Sequence, residues 1–275
     1  MQLLYFLIVL YKKKPENSET FKSLQNCKGI LRNNCVTYIW DNSPIPLSPK
    51  EQRTLANENP ELSINYVTWN ENVSLSRIYN QIIKLCRRDS LLVILDHDTS
   101  FDEKYINEIR KETENPCNSN INLFLPLILS CNKIFSPSFE YLKLRSVLWE
   151  QPHVGRMPVK NMQAINSGMV IRTNYLKDFF PGYDEYLKFY VTDLDFMYKY
   201  RSQNKEVCVL NVSLNHVLNF FEEDNVSKAR RYKEQRISNL YLSKKQNLIL
   251  YCFQCVRYLF VTIKFCLKYR TMQFI

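Results

Sequence analysis

The chain has 275 residues, of which 45% are hydrophobic, and a formal net charge of +10. This composition excludes wholesale disorder and fits one large domain, or one domain with an appendage. Only four glycines occur, no two within ten residues of each other, and only three histidines. Glycine-rich phosphate loops and H-E-x-x-H zinc sites are therefore excluded, which makes dinucleotide-binding enzymes, P-loop NTPases and protein kinases poor candidates.

The positive charge is concentrated at the C-terminal end. Residues 226–275 contain eleven Lys or Arg side chains and a single acid, Glu234. These residues account for the whole excess of +10, because the preceding part of the chain carries equal numbers of acidic and basic side chains. We therefore expect a neutral domain at 1–222, followed by a basic tail at 223–275.

Cysteine usage and the N-terminus bear on the cellular compartment. The nine cysteines are scattered, and the pair Cys252 and Cys255 has no second pair to complete a zinc site. This pattern favours free thiols in a reducing compartment. The apolar N-terminal run precedes its lysines and has no small-residue cleavage site, so it predicts a buried strand in place of a signal peptide.

Segments typical of strands and helices alternate along the first half of the chain. Apolar or β-branched runs predict strands at 3–11, 36–40, 62–67, 91–95 and 123–129. Amphipathic spacing predicts helices at 18–28, 74–86 and 102–111, and residues 46–60 are expected to form a polar connection. Further regular segments are expected at 166–172, 183–200 and 207–211. The alternation indicates an α/β domain with a largely parallel sheet.

Polar side chains follow three of the predicted strands. Tyr11, Asp41 and the Asp96–Asp98 segment lie at carboxyl ends, where open parallel sheets bind ligands, so we expect them to share one crevice. Asp96 and Asp98 are two positions apart, and in an extended segment such side chains point the same way. Together they could hold Mg²⁺ or Mn²⁺. A plain strand-terminating turn is the alternative interpretation.

Several segments, in order, resemble the family 2 glycosyltransferases, which are nucleotide-sugar enzymes of the GT-A fold. They are FLIVLYKKK at 6–14, WDNS at 40–43, NENVSLSRIYN at 70–80, LDHDT at 95–99, NSGM at 166–169, GYDE at 182–185 and TDLDF at 192–196. The resemblance covers about residues 1–220. It implies a Rossmann-like, mostly parallel sheet flanked by helices, and sugar transfer from a nucleoside diphosphate.

The resemblance also implies a nucleotide-binding set. Asp41 matches the acid that hydrogen-bonds the base or ribose, and Asn72 and Asn80 match the family's N-x-G-x-x-x-x-x-N segment. Ser74 replaces the usual glycine of that segment. Tyr11, at the end of the first strand, and Asp96 complete the expected nucleotide-binding residues.

By the same resemblance, three side chains are expected to bind Mn²⁺ or Mg²⁺. Asp96 and Asp98 match the metal-binding pair, where the cation bridges the diphosphate. His216 lies where some family members supply a further ligand. An ordinary capped or solvated histidine is the alternative interpretation of His216.

The expected catalytic acids lie in the segment TDLDF. Asp193 matches the second residue of the family's E-D motif, with Thr192 in place of the glutamate, and is expected to be the general base of an inverting transfer. Asp195, two positions later, could share this task. Alternatively, both acids only cap a helix at 194–201.

The C-terminal residues predict a basic amphipathic helix. Polar residues recur at helical spacing from 246 to 271, and the longest uncharged run, 246–256, is shorter than the roughly 20 residues of a membrane span. We expect this helix to lie in the interface of an anionic membrane. Packing on the catalytic domain or a dimer partner is the alternative, and no motif supports a nucleic-acid role.

Together these features predict an inverting, metal-dependent glycosyltransferase of cell-surface polysaccharide synthesis, cytoplasmic and peripheral at the inner membrane face. The expected partners are a nucleotide-diphosphate sugar and a glycan or lipid-linked glycan acceptor, without nucleic acid. A sugar nucleotidyltransferase is one alternative, although that class needs a glycine-rich loop after the first strand. A non-catalytic, membrane-surface glycan-binding module is the other.

Overall fold

A computed structural model describes residues 2–131, 133–141, 145–216 and 224–274, without the side chain of Arg145. The strands of this part of the chain are β1 (Leu4–Leu10), β2 (Cys35–Asp41), β3 (Ile64–Thr68), β4 (Leu91–Asp96), β5 (Thr99–Ser100), β6 (Leu123–Ser130), β7 (Lys133–Ser136), β8 (Ser138–Tyr141), β9 (Arg145–Leu148), β10 (Gly155–Pro158), β11 (Met162–Gln163), β12 (Met169–Arg172) and β13 (Glu206–His216). Its helices are α1 (Glu19–Asn26), α2 (Lys28–Leu31), α3 (Pro49–Glu58), α4 (Leu75–Leu85), α5 (Glu103–Glu114), α6 (Thr173–Asp178), α7 (Thr192–Gln203), α8 (Asn225–Gln246) and α9 (Leu248–Tyr269).

The main sheet has the strand order β10-β13-β6-β12-β4-β1-β2-β3. Strands β3, β2, β1 and β4 are mutually parallel, and β13 is parallel to β6. Strand β12 runs antiparallel between β4 and β6. The expected mostly parallel α/β sheet is therefore confirmed, with one reversed strand at its centre. Strands β8, β9 and β11 form a second, small sheet.

Strand β1 lies in the middle of two apolar layers. All seven of its residues are buried. Tyr5 and Leu7 belong to the core that also contains side chains of α4 and α7, whereas Phe6 and Ile8 belong to the core that contains side chains of α1 and α5. Alternate residues of a strand face opposite sides of the sheet, so helices on both faces explain the uninterrupted apolar run. The N-terminal run is thus a central strand, as expected.

The prediction of a polar connection at 46–60 is wrong, because the segment contains α3. Ser48 and Glu51 form a reciprocal capping box, and Pro49 occupies the first turn. No residue of α3 is buried, so its sequence lacks the apolar periodicity from which helices are usually predicted. The S-x-x-E spacing with a following proline was the only local signal.

The basic tail forms two helices in place of the one expected at 246–271. Helices α8 and α9 meet at Asn247, whose side chain accepts a hydrogen bond from the backbone N–H of Ile249, and they enclose a small core that includes Tyr232 and Tyr258. By length and composition α9 is apolar enough to cross a membrane, since an 18-residue window within it has a mean hydropathy of 1.5. The length of the longest uncharged run, 246–256, had indicated a helix too short to span a membrane. That measure ignores how apolar the residues between the charged side chains are. The predicted domain boundary at 222/223 lies outside the described residues.

Gly168 lies just before β12 and packs against side chains of β6 and β13, so its substitution tests the packing of the main sheet. Its φ is +83°, and a Cβ there would lie 2.7 Å from Pro126 Cγ and 2.9 Å from Leu214 Cδ1. We expect Gly168→Ala to lower the free energy of unfolding by about 2–4 kcal/mol, through backbone strain and overpacking. Gly29→Ala is the control, since no atom lies within 4 Å of its added Cβ. Equal stabilities of the two variants in urea would contradict the packing at Gly168.

Candidate active site and metal centre

The register of the parallel strands places the expected acids at one edge of the sheet. Leu10 pairs with Asp41 across β1 and β2, and Val9 pairs with Asp96 across β1 and β4. The segment that follows β4 carries Asp98 and turns into β5. Strand ends, not proximity in sequence, therefore bring Asp41 and Asp96 to the same side of the domain.

His216 joins Asp96 and Asp98 although it is more than a hundred residues away in sequence. It is the last residue of β13 and pairs with Thr99 of β5 in antiparallel register. One ligand atom from each of the three side chains lies within 4.8 Å of the other two. His216 Nδ1 is 3.3 Å from Asp98 Oδ1 and 3.0 Å from Thr99 Oγ1. The three expected metal ligands are thus brought together.

Hydrogen bonds from two other segments hold this turn in place. At the start of α1, Ser18 Oγ donates to the His97 carbonyl oxygen, and Thr20 Oγ1 donates to the carbonyl oxygens of Asp96 and Thr99. Before β12, Ser167 Oγ accepts from the Asp96 N–H at 3.1 Å and bonds Thr99 Oγ1 at 2.6 Å. The carboxylates therefore project from a backbone that is fixed on both sides.

The donor set fits a divalent cation. Asp98 Oδ1 is buried and, apart from its 3.3 Å contact with His216 Nδ1, accepts no hydrogen bond from the described residues. A buried carboxylate oxygen that accepts no hydrogen bond is costly. Burial raises the pKa of Asp96 to about 6, an effect opposed by His216 and reinforced by Asp98 and Asp193. Carboxylate and imidazole ligands are compatible with Mn²⁺. A cation here would compensate the repulsion between these acids.

Asp193 lies on the wall of a cleft that Asp96 and His216 also line. This cleft has a volume of about 570 Å³. Asp193 is in the first turn of α7, where its Oδ1 accepts from the N–H of Leu194 at 2.8 Å. Burial raises the pKa of Asp193 to about 6. A carboxylate with such a pKa can accept a proton near neutral pH.

Asp195 occupies a different environment from Asp193. It is buried and forms an ion pair with Lys199 Nζ at 2.5 Å, and it lines a separate cavity on the other side of α7. Both acids are in a helix, where positions two apart are about 200° apart around the axis. Their spacing in sequence therefore does not bring them to one site. Neither acid caps α7, whose N-cap is Val191 without a side-chain cap hydrogen bond, but both lie in its first turn, where negative charge suits the helix dipole.

The segment leading to Asp193 is tied to two expected motifs. Asn166 Nδ2 donates to Thr192 Oγ1 at 3.0 Å, so the NSG turn is linked to the segment of Asp193 as well as to Asp96. Asn80 donates to the Tyr183 carbonyl oxygen at 3.0 Å and accepts from the Tyr183 N–H at 2.8 Å. Val191 has a φ of +69°, and a β-branched residue in this region is strained. The strain lies two residues before Asp193.

The other expected nucleotide-binding residues lie nearer the ends of β1 and β2. Asp41 is buried, accepts from the Ser43 N–H at 3.0 Å and from the Tyr66 hydroxyl, and lines a cavity of about 560 Å³ that Lys12 also lines. Tyr11 is 42% exposed. Asn72 Oδ1 accepts from Asn42 Nδ2 at 2.8 Å. The acids expected in one crevice thus border two cavities at the same edge.

Several cleft residues were not predicted from the sequence, among them two amides of α8. Gln235 and Asn239 of α8 line the cleft that contains Asp193. No motif marks them, and although the tail at 223–275 was expected to be helical, α8 was not expected as a helix separate from the one at 246–271. Their four-residue spacing puts them on one helix face, but this becomes informative only once α8 is placed beside the cleft.

The raised pKa of Asp193 predicts a pH-dependent effect on stability. Between the ordinary pKa of 3.8 and about 6 the folded state binds more protons than the unfolded state, so stability falls as the pH rises through this interval. Asp193→Asn removes the buried charge. In metal-free urea unfolding we expect it to raise the free energy of unfolding by about 1–3 kcal/mol at pH 8, and by much less at pH 4.

Asp195→Asn is the matched control. It breaks the ion pair with Lys199, so we expect it to lower stability at pH 8. If both substitutions shifted stability in the same direction at pH 8, the assignment of different environments to the two acids would be wrong.

No protein-family model and no curated protein sequence matches the chain. Solved structures do match. Residues 1–349 of TarS from S. aureus superimpose with a TM-score of 0.55 at 11% identity, covering 87% of this chain and 65% of that chain. GalNAc-T7 with UDP, GalNAc and Mn²⁺ gives 0.58 at 9% identity, covering 78% and 44%.

A mannosyltransferase from Pyrobaculum calidifontis, PcManGT, in complex with GDP-Man and Mn²⁺, gives a TM-score of 0.57 at 11% identity, covering 89% of this chain and 64% of that chain. The chain thus spans less than two thirds of the length of each of these three structures. The similarity in structure confirms the fold that the sequence resemblance implied: this chain has the GT-A fold.

Proposed function

We propose that the protein is an inverting, metal-dependent glycosyltransferase similar to those of family 2. It would move a sugar from a nucleoside diphosphate donor to a hydroxyl group of a glycan. One observation carries this proposal: Asp96, Asp98 and His216 cluster in a GT-A fold, and Asp96 and His216 line the same cleft as Asp193. Two of the similar structures contain a nucleotide or nucleotide sugar together with Mn²⁺.

The proposed reaction assigns different work to the two sets of acids. Asp96, Asp98 and His216 would hold Mn²⁺ or Mg²⁺, which when bound offsets the negative charge that gathers on the leaving diphosphate. Asp193 would accept the proton of the attacking hydroxyl group. A direct displacement with inversion needs no enzyme nucleophile. Asp195, which is paired with Lys199, would support α7 and not take part in proton transfer.

The nucleotide would lie towards the ends of β1 and β2. Asp41 and Tyr11 are at this end of the sheet, and Lys12 lines the cavity beside Asp41. A basic side chain beside an acid suits a ligand with a neutral ribose and an anionic diphosphate. Asn72 and Asn80 would act by holding the surrounding loops, since their amides bond Asn42 and Tyr183.

The proposal is tested by calorimetric titration of UDP and GDP, each with Mn²⁺ and with EDTA. We expect one of them to bind only with Mn²⁺, and Asp98→Asn to weaken this binding at least tenfold, because the substitution removes a charged ligand. Asp89→Asn, before the opposite end of β4, is the control and should bind as the parent does. Binding of neither nucleotide, or equal binding by Asp98→Asn, would contradict the proposal and favour a non-catalytic module.

We also propose that α9 attaches the enzyme to an anionic membrane surface. Its large side chains Leu248, Ile249, Phe253, Leu259, Phe260, Ile263 and Leu267 are exposed, and at 100° per residue they occupy about 140° of the helix surface. Gln254, Tyr258 and Thr262, on another face, are buried. Arg257, Lys264 and Lys268 lie at the margin of the exposed apolar face. An exposed apolar face with a basic margin suits the headgroup region.

This placement fits a cytoplasmic enzyme that acts at the inner face of the membrane, in cell-surface polysaccharide synthesis. All nine cysteines are free, as expected in a reducing compartment. A lipid-linked acceptor would lie in the same membrane. The alternatives, packing on the catalytic domain and membrane attachment, are compatible, because α8 packs on the domain while α9 is exposed.

Membrane attachment is tested by sedimentation with phosphatidylglycerol-containing vesicles. Phe253 and Phe260 are 62% and 67% exposed, and we expect the double variant Phe253→Ser, Phe260→Ser to associate at least tenfold more weakly, since each buried ring contributes about 1.5–3 kcal/mol. Phe179→Ser is the control, because this residue is 66% exposed but belongs to the catalytic domain. Equal association of the double variant and the parent would rule out membrane contact by this face. Truncation is a poorer test, because it would remove Tyr241 and Lys245, which contact Asp184.

A further inference from the structure

Helix α8 is fixed to the catalytic domain beside the segment that leads to Asp193. The Tyr241 hydroxyl and Lys245 Nζ donate to the same oxygen of Asp184, at 2.9 and 2.7 Å. The ring of Tyr241 stacks on that of Tyr186, with 4.0 Å between centroids. These contacts join the basic tail to the segment that carries the proposed base.

The same helix supplies two amide side chains to the cleft. Gln235 and Asn239, one turn apart, line it together with Asp193 and Asp96. Asn239 Nδ2 donates to the Gln235 carbonyl oxygen at 2.9 Å, which orients the Asn239 side chain along the helix. Neither residue is needed to hold α8 in place, since Tyr241 and Lys245 do so further along the helix.

The remainder of the cleft wall combines hydroxyl, amide and aromatic side chains with aliphatic ones such as Leu75, Leu148 and Ile165. Ser138, Ser146 and Gln163 line it on the side of the small sheet, and Phe189 and Tyr190 line it before Asp193. Among the described residues that line it there is no Lys or Arg. The lysines near the end of β1 line the other cavity instead. A wall of neutral donors and acceptors with aromatic rings matches an uncharged sugar better than a phosphate or a uronate.

We propose that α8 forms one wall of the acceptor site, and that Gln235 and Asn239 hydrogen-bond the hydroxyl groups of an uncharged sugar unit. This inference rests on the proposed function, because it requires an acceptor near Asp193. The pair of packed helices α8 and α9, which we call the C-terminal hairpin, would then determine acceptor specificity as well as bind the membrane. A sugar carried on a membrane lipid would enter the cleft along the helix that is anchored beside the membrane-binding face.

The test is binding to an array of immobilised neutral and acidic glycans, in the presence of Mn²⁺ with UDP or GDP. We expect the parent protein to bind neutral glycans, and the double variant Gln235→Ala, Asn239→Ala to lose at least tenfold in that binding. Lys244→Ala, an exposed position on the same helix, should bind as the parent does. Calorimetry of Mn²⁺-dependent nucleotide binding should agree within twofold among all three proteins.

Three results would overturn the inference while leaving the proposed function intact: a preference for acidic glycans, no glycan binding by a parent that binds the nucleotide, or equal glycan binding by the double variant. Weakened binding of a nucleotide sugar by the double variant would also overturn it, by assigning the two amides to the donor sugar. Failure of the parent to bind either nucleotide would instead overturn the proposed function.

Discussion

Partial desolvation of neighbouring carboxylates, reinforced at Asp96 by repulsion from Asp98 and Asp193, is the constraint on which this site depends. Asp96, Asp98 and Asp193 lie at one edge of the sheet, and burial raises the pKa of Asp96 and of Asp193 to about 6. The arrangement is unfavourable for the polypeptide alone. A bound cation would turn repulsion into attraction, so the energetic cost of the site and its proposed chemistry have the same origin.

The surrounding structure holds these acids through bonds that converge from distant parts of the chain. Thr20 and Ser167 fix the backbone around Asp96, and Asn166 links that region to Thr192. Helix α8 then joins the segment before Asp193 from the other side, through Asp184. Because the segment before the proposed base is bonded to α8 in this way, membrane attachment, acceptor binding and proton transfer would occur on one connected framework.

The sequence predicted the elements whose conformation is determined by neighbouring residues, and it missed those that depend on tertiary packing. The ends of β1, β2 and β4 could be predicted because uninterrupted apolar runs mark buried parallel strands. Asp96 and Asp98 were expected to align on extended backbone, but residues 97 and 98 form a turn between β4 and β5, and this turn brings the two acids together. The same spacing misled at Asp193 and Asp195, because that segment is helical. Helix α3 escaped prediction because none of its residues is buried. Gln235 and Asn239 escaped it because only tertiary packing of α8 brings them to the cleft.

The central claim, that these side chains hold a cation carrying a diphosphate, is tested most directly by pulsed electron paramagnetic resonance of bound Mn²⁺ with UDP or GDP. The structure predicts hyperfine coupling to ³¹P of the nucleotide and to one ¹⁴N of the protein, with the nitrogen signal absent in His216→Gln. A Mn²⁺ spectrum without coupling to protein nitrogen, unchanged between the parent and His216→Gln, would contradict it.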